Sequence, residues 1–383
     1  MKGNSRRDFL KAMAATGVCA MTAREYLAQA SQYKPISKGG CIDVHHHHQP
    51  PGLNPFGARG GGGRPAWTPE RSLEQMDKFG IGVAILSLTQ MGDILYDNTE
   101  KGRTAVRKGN DYGAQLMHDH PTKFGLFASI PFPDVDGSLK EIEYAYETLK
   151  CDGIGIYTND NQGHWPGDPK LEPIWKELGR RKAIVYMHPW VPACCNNLNY
   201  GATSFMNEID FETTRAVTSF ITNGVLFRYP DLKLITAHSG GTLPVLAGRM
   251  KDRYPADKNQ YIPNGLWAEL QKLYYDCAHA TYKMPWAALT ALVPPTQYLF
   301  GTDYSPEPIE STVNDHASPE FGVKLCTMAS VIGSSLRGAY SSQPASRGVF
   351  VNVVSSLRKR LTSRSVFTPG SRRRNSFIKR RCP

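Results

Sequence analysis

The sequence predicts an α/β fold, a (β/α)8 barrel in which eight parallel strands alternate with helices and close on themselves. Three observations lead there. Eight short apolar runs are spread between residues 41 and 303. Amphipathic segments lie between them, and strand–helix alternation implies a parallel sheet. Several of the runs end on a histidine or an aspartate, at the end of the strand where this architecture gathers its chemistry.

In order, the runs are CIDV (41–44), IGVAILSL (81–88), FGLFASI (124–130), GIGIY (153–157), AIVYMH (183–188), LKLITAH (232–238), LYYDCAHA (273–280) and YLFGTD (298–303). Each is nearly continuous in apolar character and bounded by Gly or Pro, as a strand covered on both faces requires. Helix candidates between them include PERSLEQMDKFG (69–80), SLKEIEYAYETLK (138–150), PIWKELGRRK (173–182) and FETTRAVTSFITNGVLFRYP (211–230). An open doubly wound sheet is the second architecture compatible with this pattern, but it usually has fewer strands. The segment GARGGGGRP (57–65) lacks the Gly-Lys-Ser/Thr ending of a phosphate-binding loop, and reads as a flexible loop over one barrel mouth.

Composition bounds the rest. Of the 383 residues 40% are hydrophobic and 21% charged, the balance of a globular protein. No run approaches the roughly 18 apolar residues of a membrane span. The net charge of +11 suggests a nucleic-acid partner until it is mapped. No acidic residue follows Glu320, whereas thirteen Lys and Arg lie from Lys324 to Arg381; subtracting them from +11 leaves the first 320 residues at −2. Nucleic acid is therefore not expected as a partner of the barrel. The basic charge belongs to a Ser/Arg-rich tail over 316–383, expected to be disordered. At the other end, SRRDFLK (5–11), a weakly apolar stretch over 12–23 and Ala28-Gln29-Ala30 match a twin-arginine signal peptide spanning 1–30. The expected organisation is thus a signal over 1–30, a barrel over 31–315 and the tail, with export to the periplasm or extracellular space. Eight cysteines without a CxxC exclude a zinc ribbon and a thioredoxin-type motif.

The candidate site is assembled from strand ends. His45 and His47 follow the first run in an HxH spacing, and residues two apart in an extended segment point the same way. His46 and His48 share that spacing, so the residues alone leave a choice of register. His188 ends the fifth run, His238 the sixth and Asp303 the eighth. A lone strand-end histidine is more often a satisfied core residue than a ligand. Histidines and a carboxylate at several ends of one barrel form a set, and imidazoles with a carboxylate suit a divalent ion such as zinc with one position open. Asp43 reads as an orienting residue, His279 as lining at best, and His164 as a loop residue within reach of substrate. Arg59, Arg64 and Arg215 are candidates to hold a carboxylate.

The segments DVHHHHQP, MHPW, AHSGGTLP and GTDYSP, in this order, resemble the amidohydrolase-related enzymes grouped around aminocarboxymuconate-semialdehyde decarboxylase. The stretch ETTRAVTSFITNGVLFRYPDLKLITAHSGGTLP is similar to that group throughout, and the resemblance covers about residues 41–312. It implies a metal-dependent (β/α)8 barrel with zinc, or alternatively manganese, on His45, His47, His188 and Asp303. It implies His238 as a catalytic residue facing the metal, with Asp303 shuttling a proton while ligating. With His45 and His47 as the pair, rather than His46 and His48, the Asp43 spacing and the Pro50 position match that group, so the resemblance implies this register. The expected activity is decarboxylation of a small aromatic or muconate-like acid. Hydrolysis of an ester, lactone or amide on the same site is the first alternative, and an inactive metal-binding truncation product the second. A homodimer is the assembly the resemblance suggests. The family's closing helices are not recognisable after Asp315, as a shifted reading frame from about that point would produce.

Overall fold

A computed structural model describes residues 41–53, 66–88, 97–132, 134–192, 195, 201 and 203–314. The expected signal over 1–30, the glycine loop at 57–65 with Arg59 and Arg64, and the tail over 316–383 lie outside the described residues. Eight parallel strands run in the order β1 to β8: Cys41–His47, Ile81–Ser87, Phe124–Ser129, Gly153–Tyr157, Ile184–His188, Lys233–Thr236, Tyr274–Asp276 and Tyr298–Leu299. Each coincides with one predicted run. The chain beyond β8 returns to β1: Val44 N–H donates to Phe300 O (3.0 Å), Asp303 N–H to His45 O (2.9 Å) and His47 N–H to Tyr304 O (2.6 Å). These bonds close the barrel.

Every strand except β4 sends apolar side chains to one inner cluster, among them Val44, Ile85, Phe127, Tyr186, Ile235 and Leu299. Strand β4 offers glycine instead, and a Cβ on Gly153 would lie 3.0 Å from the Phe127 ring. A second, larger cluster lies between the strands and the surrounding helices, built on residues such as Met76, Leu126, Trp175 and Phe220. These two layers are the filled interior and outer shell that a (β/α)8 barrel needs.

The helices show why they start and stop. In Pro69–Phe79, Thr68 accepts the Arg71 N–H, Pro69 occupies the first turn and Gly80 ends the helix at φ 72°. The predicted segment 211–230 is not one helix. It begins earlier, as Ser204–Thr222, breaks at Gly224 with φ 80°, and resumes for one turn over Val225–Arg228. Likewise 138–150 divides into Val135–Tyr144 and a π-helical turn over Ala145–Leu149. The twenty-residue helix Glu100–Asp119 buries Gly102, Ala105, Val106, Gly109, Asn110, Gly113 and Leu116. Its buried stripe consists mostly of small residues, so it shows no apolar periodicity to a reader looking for large side chains. The small stripe allows close approach, because a Cβ on Gly113 would lie 2.6 Å from Leu126 and 3.2 Å from His48.

Candidate active site

The histidine run sits on β1, where the pairing with β2 is irregular between Asp43 and His46. Ile42 and Val44 pack with the inner cluster. Beyond Val44, within and after this irregular stretch, His45 and His47 do the converging, so the inward phase moves from even to odd residues. A β-bulge re-aims side chains in this way. The other two histidines face the shell: His46 Nε2 accepts from Ser72 Oγ (2.6 Å), and His48 Nε2–H donates to Gly109 O (3.1 Å). Asp43 binds the seam rather than the centre. It accepts from His45 N (3.1 Å), His46 Nδ1 (3.0 Å), Thr302 N (3.1 Å) and Thr302 Oγ1 (2.6 Å).

His45, His47, His188 and Asp303 each bring one donor atom into a group whose members lie within 4.8 Å of one another. Asp303 Oδ1 is 3.1 Å from His45 Nε2 and 2.8 Å from His47 Nε2. In each histidine the other ring nitrogen is occupied: Nδ1–H of His45 donates to Asp276 Oδ2 (2.8 Å), that of His47 to Ser87 Oγ (3.1 Å) and that of His188 to Pro189 O (2.9 Å). All three tautomers thus leave an Nε2 lone pair toward the centre, the outer-sphere arrangement that orients metal-binding imidazoles. His188 Nε2 is buried and has no hydrogen-bond partner. Three neutral imidazoles and a carboxylate with fixed orientations fit a divalent cation.

The electrostatics have the same sense. Burial alone would depress His45, but Asp303 and Asp276 outweigh it and push its pKa up to about 10. Burial and the neighbouring histidines hold His188 well below the ordinary imidazole value. Burial opposes ionisation of Asp303, yet the surrounding histidines, His45 foremost, hold its carboxyl well below the usual carboxylate range. The cluster therefore calls for positive charge at the point where the donors meet, which a proton or a divalent cation supplies.

His238 lies just after β6 and presents Nε2 to Asp303 Oδ2 at 3.3 Å, on the oxygen not used by His45 and His47. Two residues that sequence reasoning missed complete the arrangement. His279, read there as mere lining, donates from Nε2 to the same Asp303 Oδ2 at 2.9 Å. Asp276, at the end of β7, accepts from His45 Nδ1 with Oδ2 and from the His238 main-chain N–H (2.9 Å) with Oδ1. A signal for Asp276 was present in LYYDCAHA, since a carboxylate inside a doubly covered strand requires partners. His238, Ser239, His279 and Asp303 all have φ between 52° and 58°. Such left-handed backbone at non-glycine residues costs energy and concentrates at functional sites.

The remaining candidates have other partners. His164 Nδ1 is bonded to Asp160 Oδ2 (2.7 Å), and Arg215 faces Glu212 (3.2 Å) and Glu208 (3.4 Å). A cleft beside the centre is lined by Ser87, Leu88, Ser129, Ile130, Tyr157 and Tyr186.

Residues 42–318 match the family model described as Amidohydrolase. The decarboxylase yanB of Aspergillus niger is 39% identical over 252 residues, covering 62% of this chain and 68% of that protein. The 6-methylsalicylic acid decarboxylase of Penicillium expansum is 33% identical over 281 residues, covering 70% of this chain and 85% of that protein. A solved structure of dihydroxybenzoic acid decarboxylase from Polaromonas sp. JS666, with bound manganese and the inhibitor 2-nitroresorcinol, is similar with a TM-score of 0.63. That likeness spans 72% of this chain and 90% of the other at 20% identity, and at that identity it speaks for the fold alone. With the family match running the length of the barrel, the chain belongs to the amidohydrolase family.

Proposed function

We propose that this enzyme decarboxylates a small aromatic carboxylic acid at a divalent metal centre held by His45, His47, His188 and Asp303. The observation that carries the reading is the meeting of these four donors at one end of the barrel, with His238 facing the other oxygen of the same aspartate. Relatives named as decarboxylases, one of them of 6-methylsalicylic acid, support cleavage of a C–C bond over hydrolysis. The relative named for 6-methylsalicylic acid supports an aromatic substrate.

Loss of carbon dioxide breaks the bond between ring and carboxylate, leaves the electron pair on the ring carbon and requires one proton there. A divalent ion in the donor set supplies a Lewis acid that orients and polarises the substrate's oxygens. His238, as an imidazolium held by Asp303 Oδ2, would deliver the proton to the ring carbon and return to neutral imidazole. Asp276 holds the His238 main chain in place and at the same time fixes the tautomer of His45. We assign zinc on the strength of three imidazole donors, with manganese the alternative suggested by the Polaromonas enzyme. Metal analysis of the purified protein decides between them.

Incubating the metal-loaded protein with a panel of carboxyl-labelled hydroxybenzoic and methylsalicylic acids tests the reaction. Labelled carbon dioxide and the decarboxylated arene are expected in equal amounts. Ester or lactone opening without carbon dioxide would instead establish a hydrolase. His238→Asn should retain the ion while turnover falls by about 10²–10⁴-fold. The twin-arginine export of residues 1–30 and a homodimeric assembly are proposed on the sequence alone. N-terminal sequencing of the mature protein and sedimentation velocity test them.

A further inference from the structure

The three histidines of the proposed centre are steadied in different ways. His45 and His47 give their Nδ1–H to side chains, Asp276 Oδ2 (2.8 Å) and Ser87 Oγ (3.1 Å). His188 gives its own to a main-chain carbonyl, that of the adjoining Pro189 (2.9 Å). A carbonyl aims an imidazole only if its own peptide plane is fixed. Strand β5 ends at His188, and Pro189 has no N–H with which to extend the ladder. Side chains just past the end of β4 do the fixing instead. The N–H of the Pro189–Trp190 peptide donates to Thr158 Oγ1 (3.1 Å), and Trp190 O accepts from Asn159 Nδ2 (2.8 Å). The second hydrogen of that amide goes to Glu212 Oε1 (3.0 Å), while Asn159 Oδ1 accepts from the Asn161 N–H (2.8 Å), so the amide has one orientation. Glu212 stands on the helix Ser204–Thr222 and accepts in turn from Trp165 Nε1 (2.6 Å) and Arg215 (3.2 Å). Thr158, Asn159 and Glu212 are all buried.

Resting on the reading of the metal centre given above, we propose that Thr158, Asn159 and Glu212 are positioning residues for it. They hold the Pro189–Trp190 peptide so that its carbonyl turns His188 Nε2 toward the other donors. None of the three belongs to the donor group itself. A buried carboxylate is costly unless it is fully bonded, and Glu212 is bonded to groups from the β4 loop and from its own helix. Arg215, a candidate from the sequence for holding a substrate carboxylate, has this inner carboxylate as its partner. Losing the Thr158 acceptor frees the peptide to turn and the His188 ring with it. His45 and His47 keep their own partners, so the effect is confined to one ligand of three.

Cobalt is the probe that reads the ligands separately, because an imidazole bound to Co²⁺ shows its exchangeable ring N–H at a paramagnetically shifted position in the proton NMR spectrum. Full-length protein loaded with Co²⁺ should show three such resonances, from His45, His47 and His188. Thr158→Val keeps the shape of the side chain and removes the acceptor. It should shift one resonance, speed its exchange with solvent and leave the other two in place. Competition with a chelator should show Co²⁺ held about tenfold more weakly. Glu212→Gln is milder, since its amide oxygen still accepts from Asn159 while its amide nitrogen faces Arg215. It should move the same resonance by less, and it keeps the test decisive if Thr158→Val does not fold. Three resonances that stay where they are overturn the proposal, and so do three that move together, as general loosening would produce. In either case the metal centre and the proposed function stand. If no Co²⁺ binds to the parent protein, the inference and the metal centre fail together.

Discussion

At Asp276 one carboxylate serves two neighbours, accepting from His45 Nδ1 (2.8 Å) with one oxygen and from the His238 main chain (2.9 Å) with the other. Neither bond touches substrate, yet together they set the direction of a proposed ligand and the position of the proposed acid. Asp276→Asn should weaken metal binding by about 10–100-fold, the usual cost of losing such an outer partner. Competition with a chelator measures it, and an unchanged affinity would contradict the assigned role. His45 yields a pH dependence. In chelator-treated protein its folded-state pKa is about 10, against an ordinary value of 6.5. The folded state then holds a proton that the unfolded chain binds less tightly, so the stabilisation is complete below about pH 6.5 and is lost as pH rises through about 10. The unfolding temperature of the chelated protein should fall across that window. A profile that does not fall would show that His45 carries no such proton.

Elements explain what the sequence could show and what it could not. All eight strands were legible because each is covered on both faces and so reads as an apolar run. The approach of His45, His47, His188, His238 and Asp303 was legible for a related reason, as polar residues closing such runs stand out. The bulge in β1 was not, since it depends on pairing with β2. Nor was His279, whose place beside Asp303 is set by a loop with φ 55° and not by any strand periodicity. The helix Glu100–Asp119 escaped because glycines form much of its buried stripe. Gly301, after β8, has a similar role at the site: a Cβ there would stand 2.8 Å from His45 Cβ and 2.9 Å from Asp276 Cβ. Gly301→Ala should therefore push that pair apart and weaken metal binding, with a loss of stability on the order of 1–3 kcal/mol from overpacking. Chemical denaturation with and without metal checks both effects, and a variant that binds and unfolds like the parent would refute the crowding.

The whole molecule depends on the seam where β8 meets β1. Asp43 accepts four hydrogen bonds there, from His45, His46 and twice from Thr302. Asp43→Ala leaves those buried donors without an acceptor and should destabilise the barrel on the order of 3 kcal/mol. Thermal unfolding would register this as a clear fall in midpoint. Among the described residues, no helix is long and apolar enough to cross a membrane. The central claim is that four residues from three distant strand ends form one metal centre, and the metal content of purified protein beside His188→Ala tests it most directly. The account predicts about one divalent ion per chain after removal of excess metal, and its loss in the variant, because His188 Nε2 lies within the donor group. Metal retained undiminished in His188→Ala would place it on the histidine run alone and contradict the site.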